Sequence, residues 1–220
     1  MSAEEWLLRR ALVCVSGLVY WLGVWMQARR VRRLIGRSPN LKPRGRKEKL
    51  LWLGWCVVVL IWVVQPLMVG RGGGLPGLGL LPGLVHPVGL WAGAALVGLG
   101  YAGTRWCYAA LGDAWRIGVS SRDQTALVER GPYRWLRHPI YALQIVMLAG
   151  AALLLPTPVS LFALALHYVC VRLKAADEER HLLTVHGAAY QDYASRTGRL
   201  WPRWTRSQAG SDVAGDGERR

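Results

Sequence analysis

An all-α, polytopic integral membrane protein is the fold class this chain predicts, on three observations. Apolar residues make up 52% of its 220 residues. They gather into five runs of bilayer-crossing character rather than the scattered stripes of a globular core. The 28 Lys and Arg against 13 Asp and Glu give a formal charge of +15. These charges flank the apolar runs, a pattern that sets topology and meets anionic headgroups; it excludes a nucleic-acid reading.

The first run, about Leu7–Met26, follows Glu4, Glu5, Arg9 and Arg10 and ends in WLGVWM-QARR. No small-x-small cleavage site follows it, so a retained anchor is expected. The second run is Leu50–Val69, with Pro66 near its outer end, and the third is Val88–Leu111. The last two, Ile140–Leu155 and Val159–Leu173, are joined by Pro156-Thr157-Pro158. That junction predicts a tight helical hairpin, because proline stops one helix and starts the next at little cost. The fourth helix should begin at Pro139. The fifth should continue through VRLKAADEERHLLTVHG to a cap at Gly187, since that stretch holds good helix formers and no break.

Ten Lys/Arg and one Glu occupy Gln27–Lys49, and Arg71 stands alone in the loop Gly70–Pro87. The positive-inside rule then puts the C-terminus, and both ends of the hairpin, in the cytoplasm. The expected organisation is a three-helix membrane region over 1–111, a core with the hairpin and a cytoplasmic site over 112–205, and a polar, disordered tail over 206–220. The four cysteines fall in different apolar runs with no CxxC. His181 and His186 are badly spaced for one helix face, so neither a disulfide nor a metal site is expected.

Two polar clusters bracket the hairpin: GPYRWLRHPIY at Gly131–Tyr141 and EERHLLTVHGAAYQDY at Glu178–Tyr193. By spacing alone, Lys174 and Glu178 are an i,i+4 ion pair on a solvated helix end. By spacing alone, Tyr133, Trp135 and Tyr141 are interface aromatics. Their position makes them more interesting. The acid leaves a membrane helix directly, and Arg134, Arg137 and His138 stand at the mouth of its hairpin partner.

The segments LVERGPYRWLRHPIYAL, EERHLL, HGAAY, QDY and RTGRLWP resemble the isoprenylcysteine carboxyl methyltransferase family and, more distantly, the phospholipid N-methyltransferases. The resemblance covers about Trp115–Pro202, including WRIGV at Trp115–Val119. It implies S-adenosylmethionine as cofactor and a multi-pass membrane enzyme whose site faces the cytoplasm. It implies a cofactor wall from Thr125, Ala126, Leu127 and Val128, with Tyr133, His138, Pro139, Ile140 and Tyr141 lining the same pocket. Glu178 would face the cofactor, and Lys174, where the family has Arg, would position a substrate carboxylate.

Glu178 suits cationic groups through charge-assisted hydrogen bonds. A carboxylate acceptor, ionised at neutral pH, needs alignment and a cation rather than a base. The expected partners are membrane lipids and a hydrophobic or lipid-linked acceptor, a small molecule or a protein C-terminus. Two departures bear on that acceptor: Leu143 stands where the family has Gly, and Lys174 lacks the planar fork of Arg. Alternatives are a phospholipid or amine N-methyltransferase on this scaffold, a membrane reductase, and a non-catalytic lipid-binding protein.

Overall fold

The computed structural model describes residues 1–36, 38–39, 43, 45–70, 76–115 and 127–203. Among these residues the protein is all-α. The helices are α1 (Ala3–Ile35), α2 (Arg46–Met68), α3 (Pro87–Leu111), α4 (Pro139–Leu154), α5 (Pro158–His186) and α6 (Ala188–Arg196). By length and composition α1, α2 and α5 can each cross a membrane, and α4 is a shorter apolar helix. At 16 residues, α4 spans roughly 24 Å. Thr125, Ala126, Arg116–Val119 and the tail over 206–220 lie outside the described residues.

Helix boundaries follow local chemistry. Ser2 caps α1 by accepting from the Glu5 amide at 3.1 Å. That helix does not stop at Met26 but runs nine residues further, to Ile35, and closes on Gly36 at φ 70°. The segment ARRVRRLI contains no breaker, so the first part of the basic loop is helical instead. The hairpin turn is a capping box: the Thr157 hydroxyl accepts from the Ser160 amide at 3.0 Å, while Ser160 Oγ accepts from the Thr157 amide at 2.9 Å. Gln65 of α2 donates to Thr157 Oγ1 at 2.6 Å, which ties the turn to the neighbouring helix. α4 starts at Pro139, and α5 ends at His186 before Gly187, as the sequence predicts.

The hairpin is flanked by α2 against α5 and α3 against α4, and α1 packs on α2, α3 and α4. α3 meets α4 along a stripe of small residues, as membrane helices do where packing rather than hydrophobicity drives association. A Cβ on Gly150 would lie 2.7 Å from the Gly93 carbonyl, and one on Gly93 would lie 2.8 Å from the Gly150 carbonyl. The two backbones therefore touch. Leu143, where a glycine was expected, does not hold the helices apart: a Cβ on Gly103 would meet its Cδ2 at 2.7 Å. The glycine notch has moved to the partner helix. Gly150→Leu should lower stability by about 1–3 kcal/mol through overpacking, read as the melting transition of the detergent-solubilised protein. Gly98→Leu, where the added atoms meet open space, should change it little.

Candidate active site

The basin forms where α4 begins and α5 leaves the apolar part of the hairpin. A 3-10 turn, Gly131–Arg134, leads into α4. After α6 the chain returns and docks on this entry. The Arg137 amide donates to the Gly198 carbonyl at 2.8 Å, the His138 amide to the Arg199 carbonyl at 3.1 Å, and the Gly198 amide to the Trp135 carbonyl at 3.0 Å. The Tyr193 hydroxyl donates to the Tyr133 carbonyl at 2.7 Å. The C-terminal GRLWP motif thus acts as a strap across the RHP motif, joined by a single parallel bridge, Leu136 to Gly198.

The strap brings two adjacent glutamates into different environments. Glu179 is saturated. It accepts from Arg137 Nε at 2.8 Å and from Arg199 Nε at 2.9 Å, with a second short bond from the other side of the Arg199 fork. Arg137 also donates to the carbonyls of Ala194, at 3.0 Å, and Thr197. Glu178 is less committed. Its Oε1 accepts from the Tyr141 hydroxyl at 2.8 Å and lies 4.0 Å from Lys174 Nζ; its Oε2 lies 3.4 Å from His138 Nδ1. The imidazole stacks nearly parallel on the Tyr141 ring, with centroids 5.6 Å apart. His138 Nε2, 3.5 Å from Glu179 Oε1, is buried with no closer partner, and so is the Tyr190 hydroxyl.

These contacts set the charge states. Burial works against protonated His138, but Glu178 and Glu179 outweigh it and hold its pKa above the ordinary 6.5. Burial also opposes ionised Glu179, and His138, Arg199 and Arg137 more than reverse this, so its pKa falls well below the usual carboxylate range. The signs differ. The His138 contribution is fully present below pH 6.5 and is lost as pH rises through the elevated value. The Glu179 contribution is present above 4.5, its ordinary value, and is lost only as pH falls through the depressed one. The His138 ring should therefore titrate above 6.5 by NMR, and Glu179→Gln should move that midpoint down. An unmoved midpoint would contradict this assignment.

Of the residues singled out in the sequence, His138, Tyr141, Lys174 and Glu178 come together here. Pro139 opens α4 beside them. Val128, Tyr133 and Ile140 form an apolar cluster with Cys107 and Ala110 of α3. Leu127 is half-buried ahead of them. Sequence reasoning passed over Arg199 and the Tyr190–Tyr193 pair, and it treated Glu179 only as a neighbour of Glu178. The one signal was the basic-Pro ending RTGRLWP, whose strap role needs the fold to show it.

Fold and site together define an α-helical, polytopic membrane protein with an ionic basin strapped across the open end of a hairpin. The phospholipid methyltransferase family model matches residues 88–189. Over that region, a little under half of the chain, the protein is similar to this family, which includes the isoprenylcysteine carboxyl methyltransferases. Among curated proteins it is similar to the nickel-cobalt-cadmium resistance protein NccN of Alcaligenes xylosoxydans xylosoxydans, 32% identical over 114 residues, covering 51% of this chain and 53% of the relative. It is also similar to the cobalt-zinc-cadmium resistance protein CzcN of Cupriavidus metallidurans, 28% identical over 116 residues, 52% and 53% of the two chains. A third relative is the uncharacterized protein YpbQ of Bacillus subtilis, 30% identical over 97 residues, 42% and 58%. The chain spans about half the length of the curated relatives it matches.

Proposed function

We propose that the protein is an S-adenosylmethionine-dependent membrane methyltransferase that O-methylates a carboxylate on a lipidated or hydrophobic acceptor, with its basin on the cytoplasmic side. The single observation that carries this reading is the division of labour between the two glutamates. Glu179 is consumed by two guanidinium groups, whereas Glu178 is 16% exposed and keeps acceptor capacity beside Tyr141, His138 and Lys174. A partly free carboxylate flanked by aromatic faces fits a cofactor bearing an ammonium and a sulfonium. Two of the buried polar atoms without a hydrogen-bond partner among the described residues, His138 Nε2 and the Tyr190 hydroxyl, add hydrogen-bonding capacity for its polar groups.

S-adenosylmethionine, when bound, supplies a methyl group already activated by sulfonium. The residues of this chain position and shield. Glu178 and the stacked His138–Tyr141 pair would hold the cofactor, with Leu127, Val128, Tyr133, Pro139 and Ile140 forming the surrounding wall. Lys174, its side chain 29% exposed, would pair with the acceptor carboxylate. A carboxylate acceptor is already ionised and needs no general base, whereas an ammonium nucleophile must first lose a proton.

The family description favours a second reading, N-methylation of a phospholipid headgroup. Incubating the purified protein with membranes and cofactor radiolabelled on the methyl group separates them. A base-labile methyl ester supports the first reading, and a base-stable methylamine supports the second. No transfer, together with no calorimetric binding of the cofactor or its demethylated product, overturns both. Among the described residues no group of three or more His, Cys, Asp or Glu side chains is placed to hold an ion.

A further inference from the structure

Two Trp–Arg pairs mark the ends of α1. The Arg10 guanidinium lies 5.4 Å from the Trp6 ring centroid and the Arg29 guanidinium 3.8 Å from that of Trp25, both with i,i+4 spacing. The nineteen-residue step from Arg10 to Arg29 spans roughly 29 Å of helix, close to the ~30 Å hydrocarbon thickness. That spacing fits one pair at each membrane interface.

The two ends use their arginines differently. Arg10 is occupied within the protein, donating to the carbonyls of Pro66 at 2.7 Å and Leu67 at 3.3 Å. At the other end, Arg29, Arg30 and Arg33 line an open groove of about 430 Å³ together with Trp25, Met26 and Leu34. Among the described residues no acidic side chain lines it. The three apolar residues are 49%, 53% and 61% exposed. Three guanidinium groups beside Trp25 and Met26, which lie one turn nearer the apolar stretch of α1, match a molecule that is anionic at one end and hydrocarbon at the other.

We infer that this groove is a binding site for the headgroup of an acidic phospholipid, its phosphate held by Arg29, Arg30 and Arg33 and its chains lying along Trp25 and Met26. The site is separate from the glutamate basin and does not depend on the proposed methyl transfer.

The full-length protein is extracted from bilayers of equal parts dioleoyl phosphatidylglycerol and dioleoyl phosphatidylcholine, and native mass spectrometry counts the retained lipids. The wild type should retain phosphatidylglycerol preferentially. The R29Q/R30Q/R33Q variant should lose that preference by roughly fivefold or more, because each interfacial arginine contributes about that factor. The R32Q/R46Q/K49Q variant removes the same charge from outside the groove and should keep it. Should the first triple variant aggregate on gel filtration, R33Q alone carries the test, with a loss of roughly fivefold. Equal losses in both triple variants would mean a response to bulk charge and would overturn the site. So would absence of any preference, or displacement of the lipid by millimolar inorganic phosphate, which would make this a free-anion site.

Discussion

Glu178→Gln is expected to weaken binding of S-adenosylmethionine by roughly 10- to 100-fold while leaving the protein folded. The substitution keeps the shape of the side chain and an acceptor for the Tyr141 hydroxyl, now 2.8 Å away. It removes the negative charge, and with it a charge-assisted contact to a cationic ligand of about 1.5–3 kcal/mol. Calorimetric titration with the cofactor, alongside a melting curve, is the measurement. The melting curve matters because Glu179→Gln should behave in the opposite way. It would loosen the clasp among Arg137, Arg199 and His138 and lower stability first. Unchanged cofactor affinity in Glu178→Gln, with transfer activity intact, would remove the basis of the proposed function.

Arg9→Met should destabilise the protein by about 3–5 kcal/mol, the cost of breaking a buried ionic network at one partner. Arg9 is fully buried. Its guanidinium meets Glu5 at 2.8 Å, donates to the Leu153 and Leu154 carbonyls at 3.2 Å each, and donates to the His86 carbonyl at 2.7 Å. It therefore closes the C-terminal end of α4, whose last carbonyls have no partner within the helix, and ties that end to the start of α3. Methionine fills the volume but leaves those carbonyls without donors and Glu5 without its cation. Arg9→Lys should recover part of the loss, since an ammonium keeps the charge without the planar fork. A melting transition within about 0.5 kcal/mol of wild type, the usual range for surface substitutions, would show that Arg9 is peripheral after all.

Both residues show what linear reading captures. Arg9 stood in the sequence as a flanking charge used to argue about processing. Nothing in its neighbours reveals that it reaches Leu154, 145 positions away. Glu178 was legible because its i,i+4 partner and its exit from an apolar run are local. Which of two consecutive glutamates stays available was not legible. The answer depends on Arg137 and Arg199, 42 and 20 residues from Glu179, and on a strap held by backbone hydrogen bonds that carry no side-chain signature. The moved glycine notch at Gly103 is similar: a motif departure at Leu143 was visible, and its compensation lay on another helix.

By itself the sequence determined the all-α membrane class, the hairpin and its limits at Pro139 and Gly187, and the two polar clusters at the hairpin's mouth. Those follow from hydrophobic run length, proline and glycine backbone preferences and charge placement, all local properties. Only the tertiary structure decided how those charges are shared: Arg9 spent on helix ends, Glu179 spent on the strap, Glu178 left with capacity. Coulombic and hydrogen-bonding partners are chosen by distance in space, and a folded bundle brings together groups that the chain keeps far apart.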